Sequence, residues 1–221
     1  MPGWTRNPGL CQARTMRAGL LLSLFLLAGC AEAGRWLGMP APEGDRLAIA
    51  EAESGEEDDG TTIVRLALGR RQASAALIQE QGERRLWRAP GGVVVQTDGA
   101  RVTATAGLPQ IVMATRFDGA DPLEDPKALL GRSVEARRLV DVAAASRAPE
   151  TMRFGIGMDC RLRGFRTEEE HQILVEETCR APGMRRVVNQ FWADERTNRV
   201  GFAEQWVGPG MQPLALDFEP E

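Results

Sequence analysis

The sequence predicts a mainly β fold, an antiparallel meander forming a barrel-like or sandwich sheet with one or two short helices. Three observations predict it. Short apolar runs recur at hairpin spacing from Thr61 to Phe218. Asp98-Gly99 separates two valine-rich runs. Helical periodicity is almost absent beyond residue 60.

In chain order, residues 61–68 carry Ile63, Val64 and Leu66 as a first strand, and residues 73–79 continue after Gly69. Residues 83–88 alternate Leu86 with charged neighbours around Trp87. Asp98-Gly99 then reads as a two-residue type I′ loop between Val93-Val94-Val95 and Val102-Thr103-Ala104. That loop would pair Val95 with Val102 and Val93 with Ala104 on one apolar face, leaving Gln96, Arg101 and Thr103 on the other. Residues 111–117 read as a strand or a short helix, residues 118–126 as a loop, and Pro126 as the start of a short helix through Leu130. Residues 133–142 suit either state. Residues 152–165 and 172–178 form a hairpin, as do residues 186–193 and 199–207, and residues 214–218 add an edge strand.

The N-terminus is of another kind. Arg14 and Arg17 precede a continuous apolar run, Leu20 to Leu27 apart from Ser23, which ends in Ala28-Gly29-Cys30. A basic stretch, a short apolar stretch and small residues at a cut describe a secretory signal over residues 1–29. The run is shorter than the ~20 residues a bilayer-spanning helix needs. Leu27-Ala28-Gly29-Cys30 also has the pattern of a bacterial lipobox, in which the thiol of Cys30 takes a diacylglycerol; no other cofactor is expected. Met16 begins a complete compact signal and is an alternative start. Residues 30–60, with acids at Glu51, Glu53, Glu56, Glu57, Asp58 and Asp59, read as a lipidated Ala/Gly-rich tether with a short helix near 46–52. They lack the glycine turn and ligand spacing of a calcium loop. Residues 61–221 are then a single β-rich domain.

Removing 29 residues and their three arginines from a chain of 221 with 27 basic and 31 acidic side chains leaves 192 residues and a balance of −7. That balance argues against nucleic acid and against electrostatic adhesion to anionic lipid. With Cys30 assigned to lipid, Cys160 and Cys179 remain as an even pair in an oxidising space. A hairpin folded at Thr167 to Glu170 places them opposite each other, so a structural disulfide is expected.

Chemistry is sparse. His171 is the only histidine and sits beside Glu168, Glu169 and Glu170, as a solvated turn residue would. No G-x-S-x-G, phosphate-binding glycine loop or HExxH occurs, and Gly155-Ile156-Gly157 lies within a strand. With 31 acids, a carboxylate pair at glycosidase spacing arises by chance. The expectation is no enzyme and no metal. Trp87, Phe191, Trp192, Phe202 and Trp206 fall in the strands, where indole rings either fill a β core or stack on sugar. A turn near Arg196 would set Trp192 opposite Val200 and Trp206 on the face of Phe202, the arrangement of core packing.

Several of these segments resemble a known family. Leu86-Trp87, Asp98-Gly99 and Thr105-Ala106-Gly107-Leu108-Pro109 resemble the "W…DG…TxGL" stretch of YjbF/GfcB-type lipoproteins. Glu177-Thr178-Cys179, Asn189-Gln190-Phe191-Trp192 and Gln205-Trp206-Val207-Gly208-Pro209-Gly210 are similar to its "ETC", "N-x-[YF]-W" and "QWVGPG" segments. Two family tyrosines are replaced, by Phe191 and Met211. The resemblance implies a β domain and a lipid anchor in the outer membrane, on its periplasmic side. It implies an accessory role in export or assembly of an exopolysaccharide or capsule, by binding polymer or an outer-membrane export protein. The alternatives are a carbohydrate-active enzyme of that pathway and a purely structural envelope scaffold. Trp87, Trp192, Gln205 and Trp206 are the candidate ligand- or partner-binding residues; no catalytic residue carries over.

Overall fold

The computed structural model describes residues 62–218. Its twelve strands are β1 (Ile63–Leu68), β2 (Arg71–Gln81), β3 (Arg84–Arg88), β4 (Val94–Asp98), β5 (Arg101–Ala106), β6 (Gln110–Phe117), β7 (Ser133–Ala144), β8 (Arg153–Arg166), β9 (Gln172–Arg180), β10 (Val187–Asp194), β11 (Val200–Gln205) and β12 (Leu214–Phe218). They form one sheet in the order β5-β4-β3-β2-β1-β12-β11-β10-β9-β8-β7-β6. Two meanders, β1 to β5 and β6 to β12, are thus stitched together where β12 pairs antiparallel with β1. The two ends of the sheet, β5 and β6, are consecutive in sequence, and the Gly107–Pro109 link sets them side by side. There the Val112 N–H donates to the Thr105 hydroxyl at 3.0 Å, and the sheet becomes a nearly closed barrel.

Period-two alternation fills the inside. One core gathers Phe191, Met158, Leu162 and Ile173 from the β6–β11 side, and the other gathers Val64, Trp87 and Val95 from the β1–β5 side with Leu216 of β12. Phe218 packs on both. Each such side chain contributes roughly 1.5–3 kcal/mol by leaving water. The outside is charged: on β7 and β8, Glu135 faces Arg161 and Arg137 faces Asp159. Apolar inside and charged outside is the reverse of a membrane barrel. Among the described residues no helix is long and apolar enough to cross a membrane.

The link between β6 and β7 folds over one end of the barrel. It holds two 3-10 turns, Pro122–Glu124 and Pro126–Leu129, each with a proline at its start. Asp121 caps the first by accepting from the Leu123 N–H, and Asp125 caps the second through the Ala128 N–H. Leu123 and Leu129 are buried. Leu130 bridges to Gly164 near the end of β8. The Asn198 side chain, in the β10–β11 turn, accepts from the Lys127 N–H and donates to Asp125, both at 2.9 Å. The turns at this end therefore hold the link from two sides.

Several sequence expectations change. The short helix from Pro126 is a 3-10 turn of four residues, because Asp125 caps it and Leu130 leaves it for Gly164. The expected helix near 46–52 lies outside the described residues. Residues 111–117 and 133–142 are both strands. The last strand is not an edge: β12 sits between β1 and β11.

Two registers also shift. The loop after β4 is Gly99-Ala100, since Asp98 pairs with Arg101 and Thr97 with Val102. Only Gly99 there has positive φ, which excludes the type I′ turn needing two such residues. A bulge at Thr103 then sets Val95 opposite Thr105, not Val102. In the β10–β11 hairpin, Gly201 is the extra residue, and Trp192 faces Phe202 in place of Val200.

Candidate functional site

Strand parity places a set of polar side chains on the inner face. Ile173, Val175, Glu177 and Cys179 share one face of β9, and all four are buried. Asn189 lies directly opposite Glu177 on β10, and Arg138 takes the inward position between Ala136 and Val140 on β7. Arg101, at the start of β5, is also buried, as is Val102 beside it, so alternation does not hold at this strand end.

These residues form one network. Arg101 Nη1 donates to Glu177 Oε2 at 3.1 Å. The same guanidinium grips Asp121 of the end-covering link in a two-point contact, Nε to Oδ2 and Nη2 to Oδ1. Asn189 Nδ2 donates to Glu177 Oε2, and Arg138 Nη1 stands 3.7 Å from that oxygen. Arg101 also lies over the Phe117 and Phe191 rings, 4.7 and 5.1 Å from their centroids. Two arginines and two carboxylates balance in charge. Arg138 Nε and Nη2 and Glu177 Oε1 have no hydrogen-bond partner within the described residues. The pairing around Glu177 is therefore what offsets the cost of burying these charges.

Burial opposes the charge on Glu177, but Arg101 and Arg138, with the Asn189 donor, hold its carboxyl below the ordinary glutamate value. Burial likewise opposes Arg101, yet Glu177 and Asp121 leave it more firmly protonated than usual. Arg138 goes the other way: burial, aided by the like charge of Arg101, outweighs the attraction of Glu177. A carboxylate held ionised between two arginines and sealed from solvent has no proton to give.

The network extends toward β11. Asn189 Oδ1 accepts the Trp206 N–H at 2.7 Å. Gln205 reaches across the inside to β5, accepting from the Val102 N–H at 3.0 Å and donating to the Ala100 carbonyl at 2.8 Å. Gly107 has φ of +77°, and a Cβ there would strike the backbone of Gly92. A Cβ on Gly208 would lie 2.7 Å from that of Gln110. The segments "TxGL", "ETC", "N-x-F-W" and "QWVGPG" thus converge on one task, joining β5, β9, β10 and β11 and closing the barrel.

This places the predicted site residues. Gln205 is buried in that seam, not presented to a ligand. Trp87 is 2% exposed and donates its Nε1–H to Thr97 Oγ1 at 3.1 Å, so it is core. Trp206 follows β11 instead of lying in it, because its N–H goes to Asn189, and its ring packs partly buried on the β6–β11 core. Cys160 and Cys179 are cross-strand partners joined by a disulfide, with Cα atoms 4.0 Å apart. The sulfurs lie close to a Glu177 oxygen, but a metal there would need the two thiolates that this bond consumes. His171 is half-exposed beside Glu170 in the β8–β9 turn. Cys30 lies outside the described residues.

Trp192 alone of the four candidates points outward from a strand. On the outer face Phe165 faces Leu174, Leu174 faces Trp192, and Trp192 faces Phe202, across β8, β9, β10 and β11. The Trp192 and Phe202 rings are 5.1 Å apart at their centroids. None of the four belongs to either core.

Sequence reasoning missed Arg101, Asp121 and Arg138, and read Glu177 only as part of a motif. The parity of β9 and β7 already placed Glu177 and Arg138 among inward apolar residues. Arg101 had no such signal, since alternation from the inward Val102 sets it on the opposite face.

The fold and its interior define an inside-apolar, outside-charged antiparallel barrel, with a buried charge network among the described residues that ties β5, β9 and the β6–β7 link together. The chain belongs to the family of group 4 capsule polysaccharide lipoproteins (gfcB, YjbF), whose model matches residues 49–218. The hypothetical lipoprotein YmcC from Escherichia coli (K12) has a similar fold. The two superpose with a TM-score of 0.62 at 17% identity, covering 72% of this chain and 86% of that one. No curated protein matches the chain by sequence.

Proposed function

We propose that this protein is a non-enzymatic accessory lipoprotein that supports export or assembly of a surface polysaccharide. Membership of the capsule lipoprotein family carries that reading. Its working form is anchored through diacylglycerol on Cys30 to the outer membrane and faces the periplasm; Ala31, where Asp would favour inner-membrane retention, supports that side. It acts by binding, either to the polymer or to an outer-membrane export protein. The interior supports binding over catalysis: Glu177 is sealed and held ionised, and the polar motif residues are spent on closing the barrel. With those residues engaged inside the barrel, the outer surface is left for recognition.

In-cell crosslinking of the lipidated protein, followed by identification of what co-purifies, tests this. Recovery of surface polysaccharide or of an outer-membrane export protein is the expected result. Recovery of bulk envelope proteins alone contradicts it.

A further inference from the structure

The outer stripe Phe165–Leu174–Trp192–Phe202 is flanked on both sides by polar rows. On one side stand Arg163, Glu176, Gln190 and Glu204, each two residues along its strand from a stripe residue; on the other, Gln172 faces Asp194. Adjacent strands lie about 4.8 Å apart, so the stripe runs about 14 Å. Phe165 is 44% exposed, and at its end of the stripe it lines a shallow depression of about 430 Å³ with Leu130, Gly131, Gly164 and Arg166.

From this juxtaposition we propose that the outer face of β8 to β11 is a glycan-binding platform for a neutral, hydroxyl-rich polysaccharide chain. The inference rests on the polysaccharide reading above. Aromatic faces suit the C–H faces of sugar rings, and carboxylates and carboxamides beside them suit the hydroxyls at the ring edge. The stripe is one residue wide. A stable protein interface needs about 800 Å² on each partner around a desolvated centre, and this stripe, walled by charged rows, does not offer that. Charge selects among glycans. Arg166 and Arg196 are already paired with Glu195 and Asp194, which leaves Glu176 and Glu204 against Arg163, and Arg163 is drawn over the Phe165 ring at 5.6 Å, so a polyuronate would be repelled.

Affinity electrophoresis of the full-length lipidated protein in detergent tests this. Two gels are compared, one cast with surface polysaccharide extracted from the cells that make the protein and one with polygalacturonate. The wild type should be retarded in the first gel and not in the second. Trp192→Ala and Phe202→Ala should each weaken retardation about tenfold, the effect of losing ~1.4 kcal/mol of binding. Trp192→Phe should retain most of it, and Phe154→Ala, which removes an exposed ring outside the stripe, should be unaffected. Matching circular dichroism spectra confirm that the variants are folded. No retardation of the wild type, equal retardation by polygalacturonate, or retardation that survives both alanine variants overturns the proposal. If cells lacking the protein still lose surface polymer, such a failure counts against the platform and not against the polysaccharide role.

Discussion

Arg101 and Glu177, 76 positions apart in sequence, meet at 3.1 Å inside the barrel, where Glu177 is wholly buried. Their contact joins β5, at one end of the sheet, to β9 on the far meander, and Asp121 ties the same arginine to the link covering the barrel end. The network is thus a fastener, and its loss should register as loss of fold.

Glu177→Gln keeps the shape but leaves Arg101 and Arg138 buried without their shared counter-charge. Breaking a buried pair on one side costs about 3–5 kcal/mol. The urea midpoint should fall accordingly. Asp121→Asn should cost less, because Asp121 is 17% exposed and water can take part of its role. Equal, small shifts for both would contradict the fastener.

Acid should act through the same residue. The folded-state pKa of Glu177 lies below its unfolded value, so its contribution is fully present above the unfolded pKa, near 4.5. That contribution is lost as pH falls from there through the depressed folded value. Unfolding free energy measured against pH should therefore decline below about pH 4.5 in the wild type and decline less steeply in Glu177→Gln.

The disulfide spans 19 residues. Closing a loop of that length contributes about 3 kcal/mol by the chain-entropy relation. Replacing Cys160 and Cys179 together by serine should lower stability by about that amount in denaturant titration. A change under 1 kcal/mol would mean that the β8–β9 ladder alone restrains this hairpin.

Gln205→Ala separates a structural from a binding role. It leaves the Val102 N–H and the Ala100 carbonyl without their partner in a buried seam, at a cost of about 1–3 kcal/mol. Stability should drop while the folded fraction keeps its retention by polysaccharide. Lost retention with unchanged stability would return Gln205 to the ligand-binding residues.

Much of this was legible because alternation is a local property. The positions of β1 to β3 and the disulfide pairing of β8 with β9 follow from parity and hairpin midpoints alone. Register failed at two bulges, Thr103 and Gly201, where one extra residue moves the partners and no apolar pattern marks the insertion. The site was hidden for a related reason. Arg101 reads as an outward residue of β5 opposite in face to Val102, yet both are buried at the start of that strand, and Trp192 reads as core although the inward Phe191 and Ala193 beside it set it on the outer face. The place of β12 between β1 and β11 depends on contacts more than a hundred residues apart, which no local pattern records.

In the proposed role, the protein serves the appearance of a polysaccharide at the cell surface. Surface polysaccharide, measured in a deletion strain and in the same strain restored with the wild-type gene, tests it most directly. Surface polymer should fall on deletion and return with the wild type. Normal surface polymer in the deletion strain would contradict it.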